Sequence, residues 1–201
     1  MQANIQQQLG KALKSINKQY AGLVTDSMTE VKIHDAPFLK RYQIYRVEHF
    51  NPHKPILFYV GFAPKQQAYL LTGTPENYLK LGLADGVVID SPEIAANYAA
   101  TYLEVTRSMS KLFYLVQSVD EVKFRPNLTD DRVKAKTSFI EQYRPVITPP
   151  TAELADHNYT VTAYAIREHT LERHSLMVNT EGNIKDDITI LEQDLPLVYG
   201  L

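Results

Sequence analysis

Tyr159-Thr-Val-Thr-Ala-Tyr-Ala-Ile-Arg-Glu168, Leu171-Glu-Arg-His-Ser-Leu-Met-Val-Asn179 and Ile184-Lys-Asp-Asp-Ile-Thr-Ile-Leu-Glu192 follow one another with only short polar breaks. In the first run Val161, Ala163 and Ala165 alternate with Thr160, Thr162, Tyr164 and Ile166. A two-residue period is that of a strand with distinct faces. Thr180-Glu-Gly-Asn183 is a tight connection, with Gly182 to supply positive φ. The stretch therefore reads as a three-stranded antiparallel meander.

The same pattern occurs upstream. Residues 40–50 alternate, with Tyr42, Ile44 and Arg46 against Gln43, Tyr45 and Val47. A proline-containing turn over 51–55 leads to Ile56-Leu-Phe-Tyr-Val-Gly-Phe62, which lacks alternation. A short run of that kind is buried on both faces, so it lies centrally in a sheet or under helices. Residues 68–72 give a third strand. Ahead of this meander, Ile5, Leu9, Leu13, Ile16, Tyr20 and Leu23 recur at helical spacing, predicting one amphipathic helix over 3–23. Ahead of the later one, Thr129 caps a helix to 143, with Val133, Phe139, Ile140 and Tyr143 on its apolar side.

Helix-then-meander thus occurs twice, a weak internal repeat with lobes at 1–126 and 127–201 inside one domain. The expected class is α+β: antiparallel meanders packed against amphipathic helices. Two such α-βββ halves have the element order of cystatin-like modules; no family motif accompanies that likeness.

Between the halves, Thr74-Pro75 and Ser91-Pro92 are helix starts. The first helix runs to Leu83, before an Asp85-Gly86 turn. The second carries Ile94, Tyr98, Tyr102, Val105 and Met109 at helical spacing and reads as helical to about 116, while the same stretch over 112–124 has the β-branched and aromatic content of a strand. An extended segment follows, up to Arg125-Pro126. Residues 146–151, with Pro149-Pro150, read as a linker.

The chain has 201 residues, enough to bury a sizeable core without covalent staples. Its formal charge is −2, without the basic excess of a nucleic-acid binder. With no cysteine, disulfide scaffolds, thiolate metal sites and cysteine nucleophiles are excluded. A reducing, cytoplasmic setting is the expectation. No signal-like or membrane-spanning apolar run is present. Asn127-Leu-Thr129 and Asn158-Tyr-Thr160 match glycosylation sequons, read as chance matches in a chain without a secretion signal. The 8 glycines form neither a dinucleotide-binding nor a phosphate-binding loop, and no serine sits in a nucleophile elbow.

Glu168-His-Thr-Leu-Glu-Arg-His174 is the densest ionisable cluster. Strand geometry puts Glu172 and His174 on one face and Arg173 on the other. The cluster offers acid–base or anion chemistry; a solvated hairpin tip is its ordinary meaning. His49 and His53 have the i,i+4 spacing of a metal pair, but Pro52 and Pro55 forbid the helix that would align them. Asp186-Asp187 with Glu181 is the polarity of a turn rather than a calcium loop. No metal and no cofactor is expected.

The 13 tyrosines, with an apolar tail at 197–199, point to interfaces. The leading expectation is a non-catalytic accessory or interaction protein that binds a protein partner or a second copy of itself. The alternative is a module for a small apolar ligand, lined by Tyr42, Tyr45, Tyr59 and Tyr164. The third is an enzyme using Glu48, His49, Glu168 and His169.

Overall fold

The computed structural model describes residues 2–52 and 55–198. It is an α+β protein with two antiparallel sheets. Two compact units make up the chain: one runs to Val88 and includes Val105–Met109, the other holds Ile89–Glu104 and continues from Ser110. The expected lobe boundary at 126 falls inside the second unit.

The first unit opens with α1 (Gln2–Leu13) and α2 (Lys18–Thr25) rather than one helix. Asn17 causes the break. Its backbone is extended (φ −154, ψ 108), and its side-chain oxygen accepts from the N–H groups of Gln19 and Tyr20 at 3.0 and 3.2 Å. That starts a new helix. Leu9 and Leu13 are fully buried, whereas Ile16, expected on the same stripe, is exposed. Gly10 permits the close helix pair: a Cβ there would lie 2.5 Å from Cγ2 of Thr25.

The sheet has the order β1 (Thr29–His34), β2 (Gln43–His49), β3 (Ile56–Phe62), β4 (Tyr69–Leu70). Helices α1 and α2 cover one face, packing Leu9, Leu13 and Val24 on Val47, Phe58 and Val60. The other face meets α3 (Pro75–Asp85) at Gly61, where a Cβ would come within 2.8 Å of Leu81. Double coverage is why β3 lacks alternation. Strand β1 was not expected, although Val31 and Ile33 alternate with Glu30 and Lys32.

Asp85 ends α3, and its role is not that of a turn residue. Only 4% exposed, it accepts from three successive backbone N–H groups: Lys40 at 2.7 Å, and Arg41 and Tyr42 at 2.8 Å each. A carboxylate at a helix C-terminus opposes the macrodipole. The three charge-assisted bonds offset that cost and tie the entry of β2 to α3.

The second unit contains most of α4 (Pro92–Val105), then β5 (Phe113–Val116), a 3₁₀ turn over Val119–Glu121, and α5 (Asp130–Tyr143). The expected helix to about 116 stops at Val105, and Phe113–Val116 is instead a strand on β7. Aromatic and β-branched content outweighs helical spacing there. Strands β6 (Thr151–Ala155), β7 (Asn158–Arg167), β8 (Thr170–Asn179) and β9 (Ile184–Glu192) complete the sheet. The order is β5-β7-β8-β9, with β6 also on β7. The three strands read from 159–192 are β7, β8 and β9. The linker expected over 146–151 ends in β6, and Asp156 and His157, both at positive φ, close the β6–β7 turn. Phe139, Tyr143 and Ile147 pack with Tyr164, Ile166 and Leu171; Val133, expected on the apolar side of α5, is exposed.

Burial pushes the phenols of Tyr45, Tyr98 and Tyr143 above their ordinary value, and Glu192 adds to the effect at Tyr143. The neutral form is thus favoured in the fold. This contribution is fully present below about pH 10, where an unfolded tyrosine titrates, and is lost as pH rises through the higher folded values. Absorbance at 295 nm should show these rings ionising late, together with loss of circular dichroism; early, independent titration would contradict the burial.

Candidate functional site

Strands β7 and β8 are joined by a two-residue turn, Glu168-His169, with Glu168 at φ 56. From there the pairing sets Ala163 opposite His174, Ala165 opposite Glu172 and Arg167 opposite Thr170. Glu172 and His174 share the inward face, and Arg173 points to the exposed one.

A charged cluster lies under that face. His174 is fully buried. Its Nδ1 stands 2.8 Å from Oδ2 of Asp186, and its Nε2 stands 3.2 Å from Oε2 of Glu172. Nε of Arg167 donates to both oxygens of Glu172, at 3.0 and 2.9 Å. Phe113 packs against both side chains: the Arg167 guanidinium lies 5.0 Å from its ring centre, and the His174 ring meets it edge-on at 6.1 Å.

Hydrogen-bond arithmetic fixes the proton count. A neutral imidazole has one N–H, so it donates to one carboxylate only. The second bond needs another proton, on the ring or on a carboxyl group. With it the cluster is neutral overall in either case: two cations against two carboxylates, or one cation against one carboxylate beside a neutral ring and a neutral acid. Such balance is the condition under which buried charges persist.

Both ring nitrogens of His174 are therefore occupied by the protein's own carboxylates. The arrangement serves as an anchor: it ties β9, through Asp186, to β8 and β7. A second anchor holds the far end of β9. The Tyr143 hydroxyl donates to the carbonyl of Leu191 at 2.8 Å and lies 3.3 Å from Glu192. At the near end, the side-chain oxygen of Asn179 accepts from the N–H groups of Glu181 and Asn183, and the Tyr98 hydroxyl donates to the Gly182 carbonyl at 3.0 Å.

The strand so held is a sheet edge. Nine residues long, β9 has β8 as its one neighbour in the described sheet. Ile188 and Ile190, two residues apart on one face, are 49% and 54% exposed. A bulge near Leu171 and Glu172 breaks the register beyond Ile190.

The other expected site residues lie elsewhere. Tyr42, Tyr45 and Tyr59 are buried in the first unit, against Tyr69, Phe62 and His34 respectively. Tyr164 is in the core of the second. His49 Nδ1 is 3.0 Å from the Thr29 hydroxyl, which itself donates to the Leu23 carbonyl; the imidazole is therefore the donor of that pair. Glu48 pairs with Arg46 on the opposite sheet face. Glu168 is exposed, 4.0 Å from Lys111. His169 Nδ1 donates to the Leu195 carbonyl at 3.0 Å. His53 lies outside the described residues, as does Tyr199 at the end of the apolar tail.

Arg167 and the anchoring role of Asp186 were not foreseen. The signal for Asp186 was the turn at Gly182. Once that turn is placed, Asp186 falls opposite Leu176, diagonal to His174.

Among the described residues, no group of three or more His, Asp or Glu side chains is arranged to hold a metal ion, and no helix is long and apolar enough to cross a membrane. No protein-family model matches the chain, nor does any curated protein or solved structure.

Proposed function

We propose that this chain is a non-catalytic interaction protein that self-associates by pairing β9 with β9 of a second copy. The observation that carries the reading is the edge itself: a long strand, anchored from behind, with two half-exposed isoleucines on one face. An edge with unpaired backbone groups is a template for another strand. Closed two-fold pairing uses the same surface on both copies.

Antiparallel pairing centred on Ile188 sets Ile188 against its own copy, Asp187 opposite Thr189, and Asp186 opposite Ile190. No like charges meet. The bulge beyond Ile190 ends the pairing, which keeps the assembly finite and short. The lack of cysteine suits a cytoplasmic setting.

The test uses charge at the centre. Ile188→Lys places two lysines opposite one another and should give a folded monomer by sedimentation equilibrium. Ile188→Glu should do the same. Mixing the two variants should restore the dimer, because opposite charges then meet across the axis. A monomeric parent protein, or a dimer indifferent to both substitutions, would reject pairing through β9.

A further inference from the structure

A cleft of about 440 Å³ lies in the second unit, lined by no residue of β9 itself, and its lining residues include Arg125, Arg132, His169 and Asp194, with Pro126 and Pro196 among its apolar surfaces. The lining carries two guanidinium groups and one carboxylate, a net positive charge. The size falls within the range of small-molecule sites, roughly 300–1,000 Å³.

The cationic groups are held in place. Nε of Arg125 donates to the Leu197 carbonyl at 2.6 Å, which orients the guanidinium. Nη1 of Arg132 donates to the Asp194 carbonyl at 3.1 Å. The bond from His169 Nδ1 to the Leu195 carbonyl fixes that ring, and Leu195 N–H returns a bond to the His169 carbonyl at 2.9 Å. Three backbone carbonyls of the segment after β9 thus position three nitrogen-bearing side chains. Asn127 and Asp194 border the cleft in left-handed backbone, φ 58 and 55. Asn and Asp adopt this region more readily than other side chains, and here it marks the turns that frame the cleft.

We infer that this cleft binds a small organic oxyanion, a carboxylate or phosphate ester whose short apolar portion rests on the proline walls. Guanidinium forks match both head groups, and the match is strongest where the fork is pre-oriented. The site is independent of the β9 edge and does not rest on self-association.

Titrations of the full-length protein with benzoate, phenyl phosphate, inorganic phosphate and neutral benzyl alcohol, followed by backbone amide NMR, test the proposal. At least one of the two aromatic anions should give saturable shifts confined to 125–128, 169 and 194–196. Which anion saturates first separates a carboxylate site from a phosphate site. Benzyl alcohol should bind about tenfold more weakly or worse, and Arg132→Ala, at an exposed position, should weaken the anion about tenfold. Arg132→Lys should recover part of the loss, and Ile188→Lys should leave binding unchanged. Saturation with neither aromatic anion, equal binding of benzyl alcohol, or binding indifferent to Arg132→Ala would overturn the inference. Shifts with inorganic phosphate alone, scattered over the surface, would also count against it.

Discussion

Asp85→Ala should destabilise the first unit by roughly 3–5 kcal/mol. The substitution removes the acceptor of three backbone N–H groups at once. Two of them, on Lys40 and Arg41, can turn to water because those residues are exposed; that of Tyr42 is buried. The loss also releases the entry of β2 from the end of α3. Asp85→Asn keeps one acceptor oxygen but presents an amide N–H to another donor, so it should cost less than alanine yet remain clearly destabilising. Residue-resolved hydrogen exchange in increasing urea would locate the effect. Protection should fall first in β2, β3 and α3. If Asp85→Ala matches the parent, the carboxylate does not hold that junction.

His174→Leu should destabilise the second unit by about 3–5 kcal/mol. Leucine approximates the ring's volume but leaves Glu172 buried beside Arg167 alone, and leaves Asp186 with no partner in the cluster. The cost arises from the unpaired carboxylates, not from the lost ring. It should therefore shrink when the carboxylates go too: in the background Glu172→Leu/Asp186→Leu, adding His174→Leu should cost little. Arg167, whose side chain is 34% exposed, can then turn to solvent. Additive costs from all three substitutions would show that the groups do not act as one cluster.

Asp85 and His174 differ in how far the sequence reveals them. Strands β7, β8 and β9 were legible because each runs for nine or ten residues and the turns carry their own chemistry. That Glu172 and His174 share one face followed from strand geometry; that the face is buried did not, since the cluster reads in sequence as a solvated hairpin tip and both side chains are buried. Asp85 was not legible. An Asp-Gly pair after a helix is a turn in isolation, and its three donors lie more than forty residues away. The split of the first helix at Asn17 was visible as a capping residue, but the apolar stripe through Ile16 masked it. Strand β5 was mistaken for the end of a helix because its aromatic residues also fit helical spacing, and only pairing with β7 decides between them. The cleft could not be read at all, since Arg125, Arg132, His169 and Asp194 come from separate segments brought together by backbone carbonyls.

Self-association through β9 has a direct test in hydrogen exchange of the parent protein at two concentrations. A sheet edge alternates: the amides facing β8 are protected in any case, while those facing outward exchange freely unless a second strand covers them. If β9 pairs with its copy, the outward amides between Asp186 and Ile190 become protected as concentration rises, and the rest of the sheet does not change. Outward amides that exchange equally fast at both concentrations, in a protein whose mass stays that of a single chain, would contradict the pairing.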